Sequence, residues 1–342
     1  LNVKTSSAGE NWPEKMSDLK THISLPTLSV ELLPTLQKRG LETPPASMLD
    51  APETILQLGW GKFMRGFVPD FVQLANREGH FHGRILTVQR AADDRSLAAA
   101  RQNTLYTLIL RGLANGQLAE VKRVIASVSR VLAADQQWDE IEAAVRKPEL
   151  RVILSNATET GLKFDPADRR DSTPPKSFPG KLTRLLFERW KGSKSQEVGI
   201  AVIPTELVLD NGPVVRALLL EQAHAWKLGD AFVQWLGHSV HFASTLVDRI
   251  VVGTPRAKPL DEECESVGYR DDLLTCAEPY YLFAIQADEF TQRHFPMHIS
   301  TPNVRFVDDL APYRWRKLRL LNGPQMVLST LGTLLDFDLV RE

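Results

Sequence analysis

The stretch Thr54-Ile-Leu-Gln-Leu-Gly-Trp-Gly-Lys-Phe-Met-Arg-Gly66 constrains the fold more than any other part of the chain. A short apolar run that ends in Gly-Trp-Gly reads as a first strand entering a tight glycine turn and then a helix. That layout lets backbone N–H groups approach a pyrophosphate closely. A full dinucleotide fingerprint would put its third glycine at position 64, which is Met64 here; the next glycine is Gly66. Glycine pairs also end strands in ordinary turns, so spacing alone leaves a cofactor turn and a structural turn equally open. The flanks favour the cofactor turn. A helix-compatible segment, Phe63–Asn76, follows, and Gly83-Arg-Ile-Leu-Thr-Val-Gln89 reads as a second buried strand. A strand–helix–strand unit of this length is what the motif requires.

Composition narrows the class. The 342 residues are 43% hydrophobic and 24% charged, which suits a globular chain of two domains. Lys+Arg 41 against Asp+Glu 42 leaves a net charge of −1, which gives no electrostatic argument for nucleic acid or an anionic membrane. Neither is expected as a partner. No apolar run is long enough to span a bilayer, and the polar start lacks the apolar stretch of a signal peptide. Cys264 and Cys276 are too few for a zinc cluster or a disulfide framework and suit a reducing cytoplasm. His238 and His241 are three apart with no carboxylate ligand beside them; they read as polar helix positions, and no metal is expected.

The pattern divides the chain into an N-terminal extension (1–45), a dinucleotide-binding region (46–212) and a mainly helical region (213–342). Predicted strands are Thr54–Leu58, Ile85–Gln89, Tyr106–Arg111, Val121–Val128, Arg151–Ser155 and Val198–Pro204. Predicted helices are Phe63–Asn76, Gln137–Arg146 and Lys181–Trp190, with Asp165–Pro179 as a loop. Alternation of this kind predicts an α/β fold, a doubly wound parallel sheet covered on both faces. Beyond residue 212 the strand signal fades, and Val214–Lys227, Ala231–Ile250 and Arg316–Leu335 read as helices.

Seven segments in order resemble one family, the long-chain polyol-specific dehydrogenases of the mannitol dehydrogenase type. They are Leu56–Phe67, Ser155-Asn-Ala-Thr-Glu159, Ser177-Phe-Pro-Gly-Lys-Leu-Thr183, Ile203-Pro-Thr-Glu206, Thr245-Leu-Val-Asp-Arg-Ile-Val251, Cys276-Ala-Glu-Pro279 and Lys317-Leu-Arg-Leu-Leu-Asn-Gly323. The likeness covers about residues 54 to 342, and the ending Arg65-Gly-Phe67 is similar to the tagaturonate branch rather than the fructuronate or mannitol branches. The resemblance implies a Rossmann-type domain followed by a helical domain, with the active site in the cleft between them. It also implies NAD(H)-linked interconversion of a keto-hexuronate and its aldonate, without metal. Family members continue through a long helical stretch after the last segment, so the second domain is expected to be incomplete at Glu342.

Reducing a ketone requires a proton for the developing alkoxide and donors that hold the oxygen. The resemblance places the motif K-x-x-x-x-N-x-x-H on Lys317 as acid/base, Asn322 as donor and, in place of histidine, Gln325. A lysine amine works near neutrality when burial or neighbouring positive charge disfavours its charged form. Arg314, Arg316 and Arg319 are the expected source of that charge, and Arg314 also of substrate-carboxylate binding. The same run also reads as a solvated helix start. Gln325 forms hydrogen bonds but carries no proton. Pro324 threatens to break the helix and separate Lys317 from Asn322.

The remaining site expectations follow the same resemblance and the sheet logic. Gly59, Trp60, Gly61, Lys62 and Phe63 form the cofactor turn, with the Trp60 ring on either the cofactor or the core. Asn156 and Glu159 follow a strand, where such a sheet presents cofactor contacts, or else serve as helix cap and first turn. Ser244 stands where the family carries a second asparagine, and Lys181 is a substrate or phosphate contact or a helix-surface lysine. Asp248 and Arg249 read as an internal structural pair. Gln89, followed by Arg90, occupies the strand end where an acid usually selects the adenine ribose. NAD is therefore expected on the resemblance, with NADP left open. The alternatives to interconversion of tagaturonate and altronate are a sibling specificity for mannitol or fructuronate, and a catalytically weak dinucleotide-binding homologue. Oligomeric state is not legible.

Overall fold

The computed structural model describes residues 25–114, 116–192, 198–255 and 258–337. Its strands in chain order are β1 (Glu53–Leu58), β2 (Arg84–Gln89), β3 (Tyr106–Ala114), β4 (Gln117–Ile125), β5 (Val128–Ala133), β6 (Val152–Ser155), β7 (Ile200–Pro204), β8 (Val240–Phe242), β9 (Ser244–Asp248), β10 (Val251–Gly253), β11 (Thr275–Ala277), β12 (Leu282–Gln286) and β13 (Val304–Phe306). Six of them form a sheet in the order β5-β2-β1-β6-β7-β8, every pair parallel. The sheet steps outward from β1 in both directions, which makes the carboxyl end of β1 the switch point where such sheets bind ligands.

Both faces of this sheet are packed along its inner strands, which are therefore mainly apolar rather than alternating, while edge strand β5 keeps half-buried Ser129 and Arg130. Leu56, Ile153 and Val202 point to one side, under helices α3 (Trp138–Val145), α4 (Phe178–Lys191), α5 (Asn211–Ala225) and α6 (Asp230–His238). Ile55, Leu154 and Ile203 point to the other, against Met64, Phe67 and Phe71 of the segment after the glycine turn. That segment is two helices, α1 (Lys62–Arg65) and α2 (Val68–Arg77), rather than the single helix expected over Phe63–Asn76. Gly66 separates them because Val251 lies against its backbone; a side chain there would overlap Val251 at 2.6 Å. Pro69 then starts the second helix, where its missing N–H costs nothing.

The second half differs from expectation. The segment Ala231–Ile250 is helical only to His238; β8 and β9 follow, and β9, β12 and β13 form a separate three-stranded sheet. Branched side chains at Val240, Thr245 and Val247 pack on these sheets, and tertiary contact decides the state of short runs that local pattern leaves ambiguous. The expected strand Val121–Val128 is also two. β3 and β4 make an antiparallel hairpin in a sheet with β10 and β11, and β5 turns back into the parallel sheet. Gln73 Oε1 accepts from the Ala126 amide and Pro69 O accepts from Ser127 Oγ, which fixes the crossing point. From residue 25 the N-terminal segment is packed rather than peripheral: Leu28, Leu36 and Met48 are buried against Leu105, Val124 and Tyr269. Residues 1–24 of the expected extension, and Glu342, lie outside the described residues.

One buried ionic knot joins these layers. Asp70 on α2 accepts from Arg123 of β4 and, at 3.1 Å, from Arg249 just after β9; all three are buried. Arg249 thus pairs with Asp70, not with Asp248.

Candidate active site

β1 delivers the chain into the glycine turn at the switch point. Gly59 has φ +129°, in the region that favours glycine, and its amide donates to Val88 O of β2 at 2.8 Å. Gly61 precedes α1, and an added Cβ there would meet nothing within 4 Å. Between them the Trp60 ring turns inward, 2% exposed, edge-on to Tyr106 with ring centroids 5.8 Å apart. The ring therefore belongs to the core and not to a cofactor face, because a flat apolar ring gains more by filling the space over Tyr106. Lys62 is exposed with its stem over Gly253, and Phe63 is half-buried, stacked on Phe67.

The far wall comes from the C-terminal helical run. Helix α7 (Ala311–Lys317) continues through one π turn, Leu318–Asn322, into α8 (Gly323–Leu334). Gly323 N–H reaches Leu318 O in the i→i+5 manner, so Pro324 is accommodated at the start of α8 and the helix is not broken. Five residues apart on an α-helix, Lys317 and Asn322 would point about 140° from each other; the wider turn brings Asn322 back toward the lysine. Both side chains line one cavity of about 330 Å³ with Arg314, Glu206, Thr245 and Val247. Lys317 also lines a second cavity of about 280 Å³ with Phe63, Asn156, Thr205 and Asp248. It stands on the wall the two share. Its amine donates to Val247 O at 2.8 Å and lies 3.4 Å from Asp248 Oδ1.

The three arginines do not crowd the lysine. Arg316 and Arg319 lie over the rings of Tyr313 and Trp315, and Arg314 faces Asp210 at 3.4 Å while lining the cavity. The charged partner of Lys317 is the Asp248 carboxylate. Asn156, the first residue after β6, donates its amide to Thr205 Oγ1 at 3.0 Å. Gln89 is buried at the end of β2, its amide spent on Ala91 O and Asp93.

Four expected residues fall elsewhere. Glu159 lies in an exposed turn and lines neither cavity. Ser244 starts β9 with its hydroxyl over Gly212 of α5 and lines neither cavity. Lys181 donates to Lys176 O at 2.6 Å; burial lowers its pKa, opposed by Asp168 and reinforced by Arg90. Gln325 is exposed on α8 and lines neither cavity.

Two residues gain a place that their sequence neighbourhood did not announce. Asp248 touches the lysine. Glu206 is buried in the wall of the larger cavity, Oε1 accepting from the Ala157 amide at 2.9 Å. Burial pushes its carboxyl above the ordinary range against that amide. The run Pro-Thr-Glu at the carboxyl end of a buried strand was the available signal. Among the described residues no group of His, Cys, Asp and Glu gathers as metal ligands, and no helix is long and apolar enough to cross a membrane.

Known proteins resemble this chain in sequence and in fold. The family described as mannitol dehydrogenase Rossmann domain matches residues 53–298. Altronate oxidoreductase of Cronobacter sakazakii is 39% identical over 293 residues, 85% of this chain and 60% of that protein. The Bacillus subtilis altronate oxidoreductase is 35% identical over 292 residues, 85% and 61% of the two chains. This chain therefore spans about three fifths of the length of these relatives. Among solved structures, Pseudomonas fluorescens mannitol 2-dehydrogenase, in ternary complex with NAD and D-mannitol, superposes with TM-score 0.71 at 21% identity. The match covers 91% of this chain and 64% of that one. A substrate-free D-sorbitol dehydrogenase gives TM-score 0.73 at 21% identity, covering 90% and 64%.

Proposed function

The chain belongs to the mannitol dehydrogenase family, and from that premise we propose that it is an NAD(H)-linked oxidoreductase interconverting tagaturonate and altronate. The relatives that share 35% to 39% of its residues carry the altronate oxidoreductase name, which supports the sugar-acid specificity. The residues present fit a dinucleotide: the space over Gly61 is open, Gly59 holds a backbone shape that suits glycine, and Asn156 and Phe63 line the cavity leading to the lysine. Gly59, Gly61, Phe63 and Asn156 would hold it, and when bound it supplies the hydride donor or acceptor. Gln89, with no acid at that strand end, leaves the choice of NAD over NADP resting on the family likeness.

The chain's own groups divide the remaining work. Lys317 donates a proton to the carbonyl oxygen in reduction and takes it back in oxidation. Val247 O and Asp248 hold its amine at the junction of the two cavities. Asn322, in the larger cavity, offers its amide to the same oxygen. Arg314 lines that cavity and meets the substrate carboxylate in the two-pronged manner guanidinium favours. The placement of Lys317 on the wall common to both cavities carries the proposal.

The test is loss of NADH absorbance with tagaturonate, fructuronate and fructose supplied in parallel. The fastest consumption is expected with tagaturonate. A fructuronate or fructose preference reassigns the specificity, and tight NADH binding with no consumption from any of the three contradicts the enzymatic reading. That last outcome fits a silent dinucleotide-binding homologue, a reading favoured by Ser244 and Gln325 lying away from the crevice.

A further inference from the structure

Arg65 is buried, 3% exposed, and among the described residues no carboxylate lies within 4 Å of its guanidinium. Its Nε donates to Thr275 Oγ1, its Nη2 to Thr254 Oγ1 and its Nη1 to Trp60 O, each at 3.2 Å. All three acceptors are neutral. A buried cation satisfied only by neutral oxygens is costly to retain unless a counter-charge arrives.

The Trp60 carbonyl belongs to the same peptide unit as the Gly61 N–H. In a planar trans peptide the two point in opposite directions. By drawing the carbonyl inward, Arg65 turns the Gly61 N–H outward, where no described group accepts from it and a Cβ on Gly61 would meet open space. The guanidinium is locked from its other sides. It lies over the Trp60 ring at 5.6 Å, that ring packs edge-on against Tyr106, and the Tyr106 hydroxyl donates to Arg65 O at 2.7 Å. Arg65 N–H closes the turn again by donating to Gly61 O at 3.1 Å.

We infer that Arg65 is a positioning residue for the diphosphate of the dinucleotide: it aims the Gly61 N–H at the ligand and supplies, from beneath the turn, the positive charge that the diphosphate neutralises. This rests on the dinucleotide reading above. Arg65 itself does not touch the ligand, since it lies beneath the turn and is only 3% exposed. The role therefore shows in the part of the affinity that depends on phosphate, not in the part contributed by the adenosine.

Calorimetric titration of the full chain with NADH, ADP-ribose and adenosine separates the two. In Arg65→Met, NADH and ADP-ribose are expected to bind roughly tenfold more weakly, a loss of one buried counter-charge, while adenosine affinity stays within about twofold. Arg65→Lys keeps the charge and one donor for Trp60 O, so its ratio of ADP-ribose to adenosine affinity is expected within about threefold of the unsubstituted chain. Equal losses for all three ligands in Arg65→Met mean a turn that is merely damaged and overturn the inference. So does a tenfold collapse of the ratio in Arg65→Lys, which stands as a test even where the methionine variant does not fold. If the unsubstituted chain binds neither NADH nor ADP-ribose, the dinucleotide reading fails and this inference with it. That result is distinct from the other two.

Discussion

The two ends of the crevice are held by different means. The glycine turn hangs from a parallel sheet whose faces are both packed, with Trp60, Tyr106 and Arg65 locked beneath it. Lys317 rides on a helical run whose apolar side chains lie bare: Leu320, Met326, Val327, Leu331 and Leu334 are all exposed. Its amine is placed by two polar contacts, Val247 O and Asp248. Burial therefore sets the geometry at the turn, and a helix register plus two contacts sets it at the lysine. Damage to the first end should appear as lost stability, and damage to the second as lost chemistry.

The largest effect expected is on chemistry. Lys317→Met should lower turnover by about 10²–10⁴, the usual worth of a positioned acid/base, with NADH affinity changed by less than about threefold. Parallel losses of turnover and NADH affinity would erase the division between the two ends. Next comes Asp70→Asn, which leaves Arg123 and Arg249 buried without their shared carboxylate. A loss of about 3–5 kcal/mol in urea unfolding is expected, and a loss below about 1 kcal/mol would show that this knot does not hold the layers together.

Glu206 gives a pH test. Its carboxyl pKa is raised in the folded chain by burial, so the native state binds more protons than the unfolded one. The stability it contributes is full below the unfolded pKa and is lost as pH rises through the folded value. Glu206→Gln keeps an acceptor for the Ala157 amide and removes the titration, so it should gain stability relative to the unsubstituted chain as pH rises above the ordinary carboxyl range of about 4. Parallel urea midpoints across that rise would contradict the burial argument. The smallest effect belongs to the bare helix. Leu331→Gln should change stability by no more than about 0.5 kcal/mol; a cost of about 2 kcal/mol would place that leucine in a packed core and break the comparison.

The same contrast explains what the sequence revealed. The parallel strands and the glycine turn are legible because their constraints are local: a continuous apolar run for a strand buried on both faces, and glycine where the backbone has positive φ. The three-stranded sheet of β9, β12 and β13 is not, since runs such as Val240–Asp248 are short and tertiary packing chooses their state. At the site, Lys317 and Asn322 were nameable only through a family motif. Nothing local predicts the π turn that brings them together, although Gly323-Pro324 marks its end. Asp248 was read as a partner of Arg249 and Glu206 was given no role, because their contacts come from residues far along the chain, Lys317 and Ala157. Trp60, adjacent to both glycines, was ambiguous for the same reason: Tyr106 decides which way its ring turns.

A crystal structure of the full chain soaked with NADH and altronate tests the central claim most directly. The account predicts the diphosphate accepting from the Gly61 N–H and the nicotinamide ring lying in the cavity between Phe63 and Asn156, its face toward the Lys317 amine. A dinucleotide seated away from Gly59 and Gly61, or a nicotinamide out of reach of that amine, would contradict it.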